Sequence, residues 1–368
     1  RRALDPGVDR IDAIPAFDLA EAYRLYGLLL SPVLELLQDA RLLLLVPHAD
    51  LGSLPFAILP TAPSVLGISG VEQFSAYRAV PWLARRLSIE QLPSVTALAS
   101  LRRLPSRSAA LSSFVGFGDP LFSAQQAKQA STKVGALASR GLPLQRRNVP
   151  QLAGVESASL ALLPRLPDTG EEVRQIARVL NVDPAGAVFL NAEANEQRVL
   201  ATDYTGRRVV MFATHGLVPG DLDGLTQPAL ALTSPEVVPG AGDGLLSMEE
   251  ILGLKLDADW VVLSACNTAA AEEAGAEAVS GLGRAFFYAG ARALLVSSWP
   301  VETVAARMLM TELFRRQVAQ PQLGKAEALR QSMLALMDGP GYVDVKMGRT
   351  LYTYAHPLFW APFVVIGD

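Results

Sequence analysis

The stretch ADWVVLSACNTA (258–269) decides the reading of this chain. Its apolar run, Trp260 to Leu263, gives way to Ser264, and Cys266 follows before Asn267 and Thr268. A short continuous apolar run with β-branched members suits a strand buried on both faces. RRVVMFATHG (207–216) is built the same way: the run Val209 to Ala213 opens into Thr214, His215 and Gly216. In an open parallel sheet, ligands gather beyond the carboxyl ends of the strands. If these two strands are neighbours, an imidazole and a thiol meet at one edge of the sheet.

Working outward, further strands are expected at 42–46, within 112–120 where the chain then turns, and at 187–190, 229–233, 293–297 and 363–367, the first of them buried. Helices are expected between them. Residues 17–38 read as a helix interrupted near Pro32, and 195–202 as another. Thr169-Gly-Glu-Glu172 reads as a capping box, with Thr169 as N-cap and Glu172 reaching back. In 276–290, Ala278, Leu282, Ala285, Phe286 and Ala289 form one stripe that Gly290 stops. Ala305, Met308, Leu309 and Leu313 form another in 302–318. Apolar strands alternating with amphipathic helices predict an α/β fold: a mostly parallel sheet flanked by helices on both faces. The Gly- and Pro-containing segment 229–246 reads as a hairpin inserted at the active edge. Residues 123–152, rich in Ser, Ala, Gln, Arg and Gly, read as a linker or surface loop between an N-terminal α/β half (1–122) and a catalytic half (153–368).

Composition narrows the function. Half of the 368 residues are apolar and 18% are charged, enough to bury a sizeable core. A formal charge of −4 offers no basic footprint, so nucleic acid is not expected as a direct partner. The single cysteine excludes an internal disulfide and suits a reducing compartment. No apolar run approaches the roughly 18 residues of a membrane span. The opening RRALDPGVDR has no apolar stretch behind its charges and no initiator Met, which reads as a cytoplasmic protein and a piece of a longer one.

The chemistry follows from the two strand ends. An isolated thiol is mostly protonated at neutral pH and needs a neighbouring base to become a thiolate. His215 fits that task, because imidazole titrates near neutrality. Gly216 brings its N–H close to a substrate carbonyl and, with the N–H of Cys266, makes an oxyanion hole. A cysteine after an apolar strand equally suits a packed core position, and that alternative stays open for the residue taken alone. His48 and His356 read as structural. Three scattered histidines and one cysteine make no zinc site. The glycines of GFGD (116–119) and GLGR (281–284) lack phosphate-loop spacing and read as turn and packing positions. The basic stretch 138–149 reads as an exposed segment with a regulatory or processing role, or as simple solubilising charge.

Beyond these strand ends, ATHGLV (213–218), DGLLSMEEI (243–251), VVLSACNTA (261–269), GLGRAFFYAGARALLVSSWPVE (281–302) and HPLFWAPFVVIGD (356–368) resemble the CHAT domain. This is a caspase-like, separase-related bacterial peptidase family often attached to tetratricopeptide repeats. VPHADLGSLPFAILP (46–60), VPWLARRLSIEQLPSV (80–95) and FVGFGDP (114–120) extend the resemblance over nearly the whole chain. It implies a caspase-like sheet and a catalytic dyad of His215 and Cys266, with Gly216 and the Cys266 N–H as oxyanion hole. It also implies a substrate pocket walled by Ser264, Ser298, Trp299 and Glu302. Asn267 stands where the family commonly has an acid, and Glu302 reads as an exposed helix-start acid ahead of a determinant for a basic P1, so the preference at P1 stays open. The expected activity is endopeptidase cleavage of a protein or peptide substrate, without metal or organic cofactor. A helical-repeat sensor or other regulatory partner is expected, in bacterial defence or regulated proteolysis. A catalytically silent interaction module of the same fold is the alternative.

Overall fold

Alternation inside the apolar runs places a core on each side of one sheet. In Val209–Ala213, residues 209, 211 and 213 join one buried cluster, while Val210 and Phe212 join another. Trp260–Leu263 divides the same way, Trp260 and Val262 against Val261 and Leu263. Side-chain period 2 with both faces apolar is what a sheet covered on both sides demands. The computed structural model describes residues 3–67, 72–103, 113–131, 160–222, 224–264, 275–344 and 348–367.

The strands are β1 (Leu42–Leu45), β2 (Ser88–Gln91), β3 (Phe114–Gly118), β4 (Val188–Leu190), β5 (Val209–Ala213), β6 (Gly216–Leu217), β7 (Ala229–Ala231), β8 (Leu245–Ser247), β9 (Trp260–Leu263), β10 (Ala293–Ser297), β11 (Tyr342–Asp344), β12 (Arg349–Tyr352) and β13 (Phe363–Gly367). The helices are α1 (Leu19–Leu30), α2 (Leu83–Arg86), α3 (Val95–Arg103), α4 (Ala124–Ser131), α5 (Pro167–Val179), α6 (Glu196–Ala201), α7 (Met248–Gly253), α8 (Gly275–Ala289), α9 (Thr303–Ala319), α10 (Lys325–Asp338) and α11 (Pro357–Trp360).

Eight strands form the main sheet in the order β1-β2-β13-β10-β9-β5-β3-β4. Every junction is parallel except β10 with β13. Helices α5, α9, α10 and α11 bury their apolar sides in one cluster, and α7 and α8 in the cluster on the opposite face. The expected mostly parallel, doubly covered sheet is therefore present. β2 pairs with β13, and β3 lies inside the sheet between β5 and β4.

Because β10 and β13 are antiparallel, β1, β2 and β13 run opposite to β5 and β9. The residues after β1, including exposed His48, lie at the other end of the sheet from those after β5. His48 therefore cannot serve a site at the tip of β5.

Several expectations are corrected. β1 is not buried: it is an edge strand, and Leu42 is 44% exposed. By contrast, the hairpin expected at 229–246 is present: β7 pairs antiparallel with β8, and β6 completes a separate three-stranded sheet. Within 123–152, Ala124–Ser131 is helical, and 132–152, with the basic stretch 138–149, lies outside the described residues. Met308 leaves the stripe of α9 for solvent, while Ala305, Leu309 and Leu313 are buried.

The capping box is overturned too. Leu166 is the N-cap of α5, and Thr169 and Glu172 are both buried inside the helix. Thr169 Oγ1 donates to the Leu166 carbonyl and accepts from the Asp119 N–H. Glu172 accepts from Ser264 Oγ at 2.9 Å. The box pattern is met in α7 instead, where the Ser247 hydroxyl and Glu250 carboxylate cap each other's backbone N–H.

Candidate active site

β5 and β9 are adjacent and parallel, with Phe212 opposite Leu263 and the Ser264 N–H donating to the Phe212 carbonyl at 3.0 Å. Past the tip of β5 the chain is stapled to the small sheet. Thr214 Oγ1 donates to the Ala231 carbonyl, and the Ala231 N–H donates to the His215 carbonyl at 2.9 Å. That second bond makes Gly216 and Leu230 a non-hydrogen-bonded pair, so β7 does not use the Gly216 N–H.

His215 is fully buried. Its Nε2 lies 2.8 Å from the Pro164 carbonyl, and its ring sits 5.5 Å from that of Phe122 at a tilt of 45°. A carbonyl only accepts, so Nε2 carries the proton in this bond. In the neutral ring Nδ1 is then the basic nitrogen. The group on Nε2 is thus a main-chain oxygen. Sequence reasoning missed it, since a backbone carbonyl leaves no residue signature; a proline ahead of a helix start is the only trace.

Cys266 lies outside the described residues. Ser264, two positions earlier, is buried and bonded to the carboxylate of Glu172. Ser298 and Trp299 are buried as well. The Ser298 N–H donates to the Pro362 carbonyl, and Trp299 Nε1 donates to the Leu358 carbonyl at 3.0 Å. Glu302 caps α9, its carboxylate accepting from the Val304 and Ala305 N–H groups at 3.1 and 2.7 Å. His356 is tied to the same residue as Trp299, Leu358, through its N–H rather than its carbonyl. It is buried among Phe74, Tyr77 and Phe359, and its Nδ1 caps α11 by accepting from the Leu358 N–H.

The Asp119 carboxyl lies beside this region, at the end of β3. Burial pushes it above its ordinary range, against the pull of the Arg165 guanidinium. Among the described residues no group of three or more His, Cys, Asp or Glu side chains is placed to hold a metal ion. No helix among them is long and apolar enough to cross a membrane.

Comparison with known proteins agrees with the motifs. A model of the CHAT domain matches residues 19–368, and the chain belongs to that family. Tetratricopeptide repeat protein 28 of Homo sapiens is 28% identical over 237 residues, covering 55% of this chain and 8% of that protein. The Mus musculus protein of the same name is 26% identical over 234 residues, covering 55% and 9%. The chain therefore spans under a tenth of the length of these relatives. Among solved structures, Saccharomyces cerevisiae separase in complex with securin is similar at a TM-score of 0.43 and 14% identity, over 81% of this chain and 15% of that one. Gingipain R, an Arg-specific cysteine proteinase, is similar at 0.44 and 10% identity, over 95% and 66%.

Proposed function

We propose that this chain is a caspase-like cysteine endopeptidase with His215 as base and Cys266 as nucleophile. One observation carries the reading: β5 and β9 are in-register neighbours, and the offset that pairs Phe212 with Leu263 is also the offset between His215 and Cys266. The Pro164 carbonyl on Nε2 supports it, because it leaves Nδ1 as the proton acceptor.

In this mechanism Nδ1 takes the thiol proton and the sulfur attacks a peptide carbonyl. The oxyanion is held by the N–H groups of Gly216 and Cys266. The proton on Nδ1 passes to the leaving amine, and water, deprotonated by the same nitrogen, releases the acid and restores the thiol. Ser264, Ser298 and Trp299 are assigned to the substrate pocket. Glu302 enters it indirectly, since its carboxylate oxygens already cap α9. The setting we assign is regulated proteolysis in a bacterial cytoplasm, including defence, gated by a helical-repeat sensor. Curated relatives named for tetratricopeptide repeats support the sensor.

The test compares wild type with Cys266→Ala and His215→Ala on a peptide library. Each substitution is expected to lower cleavage by at least about 1,000-fold. Equal cleavage by all three proteins removes the assignment. A second reading, a catalytically silent interaction module, is favoured by the complete burial of the His215 side chain. It predicts no alkylation of Cys266 by a peptide electrophile, even with a sensor partner present.

A further inference from the structure

Pro164 is itself exposed, and the residues on either side hold its carbonyl against His215. On one side Leu163 is buried against Phe122 and Leu217, and its carbonyl accepts from Gln126 Nε2 at 2.7 Å. On the other side Arg165 makes a two-pronged contact with Asp119: Nε to Oδ1 at 2.8 Å and Nη2 to Oδ2 at 2.6 Å. Nη2 also donates to Asn191 Oδ1 at 3.2 Å. Leu166, the next residue, gives its carbonyl to Thr169 Oγ1 at 2.7 Å.

Asp119 is a firm anchor. Its backbone leaves β3 in the left-handed region, at φ 47°, which aspartate tolerates better than most residues. Its N–H is taken by Thr169 Oγ1 and its carbonyl by the Asn191 N–H. The carboxylate is thereby fixed to β3 and to the start of α5 together. A guanidinium fork on a carboxylate fixes direction as well as distance, which a lysine cannot reproduce.

We propose that Arg165, anchored on Asp119, is a positioning residue. It holds the Pro164 carbonyl on Nε2 and so keeps His215 in the single tautomer that leaves Nδ1 basic. The inference rests on the reading of His215 as the base of the proposed peptidase, but the tautomer is observable without any substrate.

The experiment uses the full chain with 15N-labelled histidine. Long-range 1H–15N spectra assign His215 against only two others, His48 and His356. The probe of the thiol is iodoacetamide at pH 7, whose alkylation of Cys266 needs the proton drawn off by Nδ1. Wild type is expected to show one His215 tautomer, protonated at Nε2. Arg165→Gln is expected to show a mixture and to slow alkylation about 10-fold, the scale at which an outer-shell orienting partner acts. Arg165→Lys is expected to recover part of both. Asp119→Asn, which keeps the shape and removes the charge, repeats the test if Arg165→Gln does not fold. A single Nε2–H tautomer in folded Arg165→Gln or Asp119→Asn, with alkylation at the wild-type rate, overturns the inference. A tautomer that follows Arg165 in a protein that cleaves no peptide supports the positioning role and counts against the peptidase reading alone.

Discussion

Two buried histidines sit in contrasting surroundings. His215 is tied to a carbonyl through Nε2, whereas His356 spends Nδ1 on the cap of α11 within an aromatic cage. Burial pulls the pKa of His356 down to about 3. The unfolded imidazole titrates near ~6.5, so between those values the unfolded chain binds the proton and the folded chain does not. Stability contributed by His356 is therefore intact above pH ~6.5 and is lost progressively as pH falls toward 3. Melting followed from pH 7 to pH 4.5 should show that slope. His356→Asn, which keeps a capping side chain, should flatten it. An unchanged slope in the variant would exclude His356 as its source. The three histidines differed little as sequence. A strand run precedes both His48 and His215, and what marked His215 was a second strand end carrying Cys266; neither the aromatic cage nor the Pro164 carbonyl leaves a local pattern.

At the scale of elements, β5, β9, β10 and β13 were legible because β-branched runs fit a pleated sheet and crowd a helix, whereas β11 and β12 were not foreseen. The start of α5 was not legible either. Thr169 and Glu172 have the spacing of a capping box, but tertiary bonds to Asp119 and Ser264 claim both side chains. What α5 needs is close approach to β3, and Gly116 and Gly118 provide it. A Cβ at Gly116 would lie 2.6 Å from both the Phe114 ring and Val173, and one at Gly118 would lie 3.0 Å from Val173. Gly116→Ala is thus expected to push α5 off the sheet and to destabilise the protein by about 1–3 kcal/mol. Chemical denaturation would measure it, and a cost below about 0.5 kcal/mol would mean that the helix shifts freely. Since α5 follows directly on Pro164 and Arg165, the same variant should also slow alkylation of Cys266.

For the molecule as a whole, the doubly covered sheet was readable from alternating strands and helices, but strand direction was not. An apolar run looks the same whichever way it points, so nothing in FVVIG announced that β13 reverses the sheet. The position of β13 matters more than its length. It pairs with β10 along five residues and with β2 on the other side, joining β1 and β2 to the rest of the main sheet. Phe359, Trp360, Phe363 and Val365 are almost wholly buried beside it. At about 1.5–3 kcal/mol each, their burial approaches the entire stability of a typical domain. Deleting 357–368 is expected to abolish cooperative melting, and a sharp transition in that variant would refute the role given to β13. Its place in the order of synthesis carries a consequence. A ribosome adding roughly 5–20 residues per second delivers the seven other strands of the main sheet first. The seam between β10 and β2 stays open until Gly367 clears the exit tunnel, so the strands made earlier wait on one made after them all.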